Sequence, residues 1–291
     1  MFHIIVNEKY LKIKKTLKKF SSALEVFDRA GVKYSVHKTT RKGEAGEIAS
    51  TVTDGTGNTL IICGGDGTLH DVLNGFKDFE NSFLGIIPLG TGNDFAKSAG
   101  IPLKPKKAAE LIAGSSPSPV DFIELSNGLR SLNAVGMGID VDVLKRAYGG
   151  KNKKKSKYLN SLIASLINFK SYKYTVRYND KEQEHCGLIG AVGNGRQIGG
   201  GIKVFPDAKI DDGYLDLFVV DFISKPAIIG AFLKLMRGKV NKIKQATAVK
   251  VKSVQFIPHE NYTIQADGEL YDNVALEAKI SDSKLLLYYN K

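Results

Sequence analysis

Residues 59–68 read TLIICGGDGT, and Leu69, Val72, Leu73 and Phe76 follow at helical spacing. A short apolar run that breaks into glycines and then into a helical stripe is a strand, a tight loop and a helix N-terminus. That combination makes an anion site. Glycines let backbone N–H groups approach a phosphate, and the helix dipole favours negative charge. The Gly-Lys-Ser/Thr of the Walker loop and the third glycine of the dinucleotide fingerprint are both missing; Asp66 lies inside the loop instead. A carboxylate beside phosphates needs Mg²⁺ to offset the repulsion, or a part in proton transfer. The plainer reading is that Asp66 caps the helix.

On both sides of this stretch the first third of the chain alternates strand and helix patterns. FHIIV (2–6) is a buried-strand run, Ile13, Leu17, Phe20, Leu24 and Phe27 fall on one helical face, and Gly31 is placed to end that helix. Val32, Tyr34 and Val36 alternate as in a strand, 43–52 reads as a helix, and 83–87 is another buried strand. Such alternation predicts a parallel sheet covered by helices. A second glycine loop, PLGTGNDFA (88–96), again follows an apolar strand and precedes a helix. Two such loops at consecutive strand ends converge on one crevice of an open α/β sheet. Thr91 and Asn93 can donate there to phosphate or base, while Asp94 orders the loop.

After about residue 120 the pattern becomes mostly β, predicting two packed sheets, with strands in PVDFIEL (119–125), GLIGAV (187–192), YLDLFVV (214–220) and AVKVKSVQF (248–256). Two segments interrupt it with helical spacing, 151–172 and 225–239, both with basic flanks. SSPSP (115–119) clusters turn formers at the change of regime.

With 291 residues, 43% of them hydrophobic and 25% charged, the chain can bury a substantial core. Cys63 and Cys186 have neither CxxC nor paired spacing, which fits a reducing cytoplasm. The N-terminal apolar run is too short for an export signal, and no apolar stretch is long enough to span a bilayer. A net charge of +12 implies an anionic partner: nucleic acid, a phosphorylated substrate or an acidic membrane. The five histidines have no ligand spacing.

NGRQIGGG (194–201), PDAKIDDGYLD (206–216) and DGE (267–269) complete a set of five motifs. Each of these last three is also a good bulge or hairpin turn. In this order the five motifs resemble the diacylglycerol kinase catalytic-domain family, the bacterial lipid kinases whose relatives include sphingosine and ceramide kinases. The resemblance spans both halves of the chain. It implies an α/β N-terminal nucleotide-binding domain of the NAD kinase and diacylglycerol kinase type, over 1–120. A C-terminal β-sandwich for the lipid substrate, over 121–291, follows, its last strand a candidate to return to the first domain. It implies a cytoplasmic, Mg-ATP-dependent transfer of phosphate to a lipid hydroxyl, diacylglycerol first among acceptors, with transient contact at a membrane and no nucleic acid partner.

Carried over residue by residue, Gly64, Gly65, Asp66, Gly67, Thr68, Leu69 and His70 resemble the phosphate-binding loop, and Thr91, Gly92 and Asn93 the second nucleotide contact. Thr39 resembles a further nucleotide-contact threonine. Asp66 resembles an acid acting on Mg-ATP or on the attacking hydroxyl; Asp267 and Glu269 resemble the pair given base and network roles. Which of these carboxylates takes the proton stays open. Asp212, with the carbonyls of Lys209 and Tyr214, resembles a site for a second, structural Mg²⁺, in keeping with a hard cation's choice of oxygen ligands. The chain departs from the family pattern at NEKYL (7–11), which lacks the usual Asn-Pro and glycine. Asn7 remains a candidate nucleotide contact, with Lys9 supplying charge from a differently shaped loop.

Two other readings compete. NAD kinases also carry GGDGT, but PLGTGNDFA and the GGG and DDG segments match lipid kinases better. A basic membrane- or nucleic-acid-binding module without catalysis leaves the acid-bearing glycine loops unexplained.

Overall fold

The computed structural model describes residues 1–55, 57–148, 171–260 and 262–291. The chain divides into two compact units, one of residues 1–122 and 281–291, the other of residues 123–280.

The first unit is built on β1 (Phe2–Asn7), β2 (Tyr34–Thr39), β3 (Thr59–Gly64) and β4 (Phe83–Pro88), all parallel to their neighbours. Helices α1 (Glu8–Leu11), α2 (Lys14–Arg29), α3 (Glu44–Val52), α4 (Asp66–Gly75), α5 (Asp94–Ser98) and α6 (Pro105–Gly114) lie between and after them. Ile4, Ile5, Val6, Leu60, Ile61, Ile62, Leu84 and Ile87 are all fully buried, as expected of strands covered on both faces. β5 (Ser118–Val120) and the chain's last strand, β17 (Leu285–Leu287), complete the sheet in the order β2-β1-β3-β4-β17-β5, with β17 parallel to β4 and β5 antiparallel to β17.

On α2, Phe20, Ala23 and Phe27 are buried, but Ile13 and Leu17 are 53% and 42% exposed. Ile13 is the extended N-cap and so stands outside the helical stripe that sequence spacing assigns it to.

The second unit contains the eleven strands β6 (Ile123–Leu125), β7 (Arg130–Ser131), β8 (Ala134–Gly138), β9 (Tyr172–Tyr178), β10 (Lys181–Gly193), β11 (Leu215–Asp221), β12 (Ala246–Val251), β13 (Ser253–Pro258), β14 (Thr263–Ala266), β15 (Glu269–Asp272) and β16 (Leu276–Ile280). Helix α7 (Ile139–Tyr148) follows β8, and α8 (Lys225–Met236) follows β11. Instead of two separate sheets, one hydrogen-bonded sheet forks. Along one edge of β10, residues 181–187 pair with β9 and residues 189–193 with β8, while the opposite edge pairs with β11. The ladder between β10 and β11 shifts register at Leu188, where the two branches part. Side chains from both branches, among them Val135, Met137, Tyr174, Val176, Leu217, Val254 and Phe256, share one core.

Two expected strands are cut. PVDFIEL divides into β5 and β6, which belong to different sheets. Asp121 is buried and ion-paired with Lys284, and the buried Phe122 stacks on Phe79, so side-chain anchors replace ladder bonds there. AVKVKSVQF divides at Lys252, where β12 pairs with β11 while β13 pairs with β9 and β16. The helix expected over 151–172 falls outside the described residues up to 170; Tyr172 opens β9. No helix among the described residues is long and apolar enough to cross a membrane.

Candidate functional site

In the first unit, register carries the candidate residues to one edge. Asn7 lies beside Thr39, Val6 beside Cys63 and Gly64 beside Pro88, so the loops after β1 to β4 all leave from the carboxyl ends of parallel strands. The order β2-β1-β3-β4 changes direction at β1, which makes the gap between β1 and β3 a topological switch point. Topology thus brings together Asn7, Thr39, the 64–70 loop and the 91–93 loop.

The two glycine loops interlock. Leu89 and Gly90 both donate their backbone N–H to the carbonyl of Gly64, at 2.8 and 3.1 Å. Gly65 and Gly90 meet backbone to backbone: a Cβ on Gly90 would lie 2.5 Å from the Gly65 Cα. No side chain fits there. The Asp66 carboxylate fastens the second loop to the first. Its Oδ1 accepts the N–H groups of Asp94 at 2.8 Å and Phe95 at 3.4 Å, the first turn of α5. Asp66 is therefore a helix cap, though for α5 and not for its own α4. Its other oxygen lies against Gly92, where a Cβ would come within 2.8 Å. Asn93 takes a left-handed φ of 51° and donates Nδ2 to the Gly90 carbonyl at 2.9 Å. Its Oδ1 is buried with no hydrogen-bond partner among the described residues, an acceptor turned into the seam between the loops.

Within 64–70 the residues divide by availability. Thr68 and Leu69 spend their N–H groups on the Gly65 carbonyl, so those of Gly65 and Gly67 stand outside the helix ladder. Leu69 and His70 turn their side chains into the core. Thr39 is buried, whereas Thr91 is exposed. Asn7 caps α1 through Oδ1, accepting from Lys9 N at 3.1 Å. The glycine-free NEKYL segment is thus a short helix. It carries Tyr10, which sequence reasoning passed over: burial first, and then the nearby charge of Asp66, pushes its hydroxyl up.

In the second unit, Asp267 and Gly268 form the two-residue turn between β14 and β15, with φ of 51° and 88° and Ala266 paired to Glu269. Both left-handed positions suit an Asp-Gly hairpin turn. The Asp267 carboxylate holds a neighbouring segment in place. Oδ1 accepts the Ser131 hydroxyl at 2.6 Å and the N–H groups of Asn133 at 2.9 Å and Ala134 at 3.2 Å, and Oδ2 accepts Leu132 N–H at 3.1 Å. The NGRQIGGG motif braces the same segment. The amide of Asn194 donates to the Leu132 carbonyl at 2.9 Å, and Asn133 donates to the Gln197 carbonyl at 2.8 Å. Glu269 is partly buried at the start of β15.

Asp212 makes a turn of its own, accepting Tyr214 N–H at 3.1 Å. Its other oxygen accepts the ammonium of Lys250 at 2.7 Å, and Lys250 also reaches Asp216 at 3.3 Å. Burial, opposed by Lys250, pushes the Asp216 carboxyl up. Lys250 supplies to these carboxylates the positive charge that a hard cation would otherwise bring. Sequence gave no sign of Lys250, because only the pairing of β11 with β12 sets it opposite Asp216. No group of three or more His, Cys, Asp or Glu side chains that could hold a metal ion forms among the described residues, so an ion here would need backbone carbonyls such as those of Lys209 and Tyr214. Asp140, in the first turn of α7, was also missed. Burial above all, with Asp142 adding, pushes its carboxyl up to about 7.

Residues 1–125 match the family model described as diacylglycerol kinase catalytic domain, and residues 133–288 match the YegS C-terminal NAD kinase beta sandwich-like domain. The chain is 31% identical over 269 residues to a protein of Xanthomonas oryzae pv. oryzae named "Probable lipid kinase YegS-like", covering 85% of this chain and 84% of that one. It is 28% identical over 260 residues to the diacylglycerol kinase of Bacillus subtilis, covering 87% and 84%. A crystal structure from Bacillus anthracis str. Sterne superposes with a TM-score of 0.82 at 27% identity, covering 99% of this chain and 97% of that one.

Proposed function

The chain belongs to the family of lipid kinases built on a diacylglycerol kinase catalytic domain, and from that premise we propose that it moves the γ-phosphoryl group of ATP to a lipid hydroxyl, diacylglycerol becoming phosphatidic acid. One observation carries the nucleotide part of the reading: two interlocked glycine loops, tied by Asp66, at the switch point of a parallel sheet. The N–H groups of Gly65 and Gly67, at the start of α4, cradle phosphate oxygens, and the N-terminus of that helix favours their charge. Thr91 and Thr39 add hydroxyl donors, and the buried Oδ1 of Asn93 accepts from the nucleotide. Leu69 and His70 act by packing the loop, and Asn7 by shaping α1.

In the transfer, the lipid hydroxyl oxygen forms its bond to the γ-phosphorus as the bond to the bridging oxygen breaks and ADP leaves. The hydroxyl proton passes to a carboxylate of the Asp267–Glu269 turn. General-base help of this kind contributes about 10²- to 10⁴-fold. Asp267 is fixed in place by its four donors, and Glu269 completes the pair. Mg²⁺ bound with ATP supplies positive charge against the charge on the phosphates. A second ion would take the place of the Lys250 ammonium and be held by Asp212 with the carbonyls of Lys209 and Tyr214.

The test is incubation with γ-labelled ATP, Mg²⁺ and either detergent-dispersed diacylglycerol or NAD. Label is expected in the lipid phase. Label in NADP alone would move the chain to the NAD kinase reading, and label in neither would remove both acceptors.

A further inference from the structure

A part of the second unit that no catalytic role uses carries its own signature. The inner face of α8 is glued to the sheet: Ile228 and Ala231 are buried, with Phe232 and Leu235 packed against the same core of Ile189, Phe218 and Val220. These positions recur at helical spacing and account for one face only. Off that face Leu233 and Met236 are 49% and 42% exposed, and Phe222, just before the helix, is 62% exposed. Its backbone is not loose, for the Phe222 N–H donates to the Cys186 carbonyl at 2.9 Å. Three large apolar side chains held in water on one short stretch need an explanation.

Charge supplies it. Lys234, Arg237, Lys239, Lys242 and Lys244 are all exposed, and residues 222–245 contain no Asp or Glu. Among the described residues none of the five cations is paired with a carboxylate. The acid that precedes the segment, Asp221, is hydrogen-bonded to His185 at 2.9 Å. Lys234 lies on α8 itself and Arg237, Lys239, Lys242 and Lys244 follow it, so exposed apolar and cationic side chains share one acid-free stretch, a composition suited to a charged lipid interface. Duplex nucleic acid would answer the cations but offers nothing to Leu233, Met236 and Phe222.

We propose that this face, Phe222 through Lys244 with α8 at its centre, docks on a bilayer with net negative headgroup charge. The cations approach the headgroups while Phe222, Leu233 and Met236 enter the acyl boundary. The choice of a bilayer rests on the lipid-kinase reading, so docking is measured without ATP.

The experiment is flotation of the full chain with vesicles of phosphatidylcholine alone and of phosphatidylcholine mixed with phosphatidylglycerol. The parent is expected to float only with the mixed vesicles, and less so at high salt. Each cation near an anionic surface contributes about fivefold in partitioning, so Lys234→Gln/Arg237→Gln/Lys239→Gln should lose roughly a hundredfold. Leu233→Ser/Met236→Ser should lose about tenfold at either salt concentration. Partitioning of both variants equal to the parent's, equal binding to neutral vesicles, or release of the parent by competing duplex DNA would each overturn the proposal. Turnover on detergent-dispersed diacylglycerol is read in parallel and should be kept by both variants. Its absence in the parent would remove the lipid-kinase reading while leaving the flotation result to stand or fall alone.

Discussion

Asp66 is the cap of α5, and the proposed reaction gives it a second duty as a charge beside the phosphates. The two duties separate by substitution. Asp66→Asn keeps an oxygen for the N–H groups of Asp94 and Phe95 but loses the negative charge, so kcat should fall by 10²-fold or more, on the scale of a proton-transfer or metal-partner role, while the melting temperature hardly moves. Asp66→Ala should lose the cap as well, about 1 kcal/mol of stability measured by urea unfolding. Near-parental turnover in the folded Asn variant would reduce Asp66 to a cap. Asp140 makes a second prediction at this scale. Its carboxyl holds its proton up to about 7 in the folded protein, whereas the unfolded chain gives it up near pH 4. Below pH 4 both states are protonated and nothing is lost; between pH 4 and 7 the unfolded chain binds fewer protons, so stability declines as pH rises. Asp140→Asn removes this, and its stability relative to the parent should grow by up to about 4 kcal/mol over that window, read from unfolding at several pH values. A flat difference would mean that Asp140 is not held neutral. Asp66 was legible because a carboxylate inside a glycine loop is conspicuous, but its cap partner was not, since α5 begins 28 residues later. Asp140 left no trace in sequence, because its burial is decided by how α7 lies on β8 and β14.

At the level of elements, legibility followed burial. β1, β3 and β4 are covered on both faces and announce themselves as apolar runs, and the glycine loops follow from where those runs stop. Segments whose two ends belong to different partners did not read correctly. PVDFIEL and AVKVKSVQF look continuous because period-2 patterning reports which face is buried and not which neighbour is paired. The same limit hid Lys250, which faces Asp216 only through the β11–β12 register. From that pairing comes a prediction. If the turn at Asp212 takes up Mg²⁺, the ion must displace an ammonium already at 2.7 Å. Lys250→Met should therefore enlarge the rise in melting temperature on adding Mg²⁺ without nucleotide, and Asp212→Ala should abolish it, since an ion that binds only the native state stabilises by mass action. Identical Mg²⁺ responses in parent and both variants would leave the turn purely structural.

For the molecule as a whole, the order of the first unit's sheet matters more than its strand count. β17, residues 285–287, lies between β4 and β5, inside the sheet and not at its margin. Leu285 and Leu287 are fully buried, and Tyr288 donates its backbone N–H to the Leu84 carbonyl at 2.9 Å. Removing the residues after Ser283 should therefore cost several kcal/mol, with two buried leucines contributing about 2–5 kcal/mol each. Urea unfolding of the truncated chain checks this, and an unchanged midpoint would show β17 to be dispensable. The same arrangement bears on how the protein is made. A growing chain emerges from the ribosome N-terminus first, yet the first unit's sheet cannot close until residues 285–287 have been made. Until then β4 offers an unpaired edge rich in Leu84, Ile86 and Ile87, the kind of strand on which nascent chains aggregate. A chain cut short of residue 285 would keep that edge open, with β4 and β5 left without the strand that joins them.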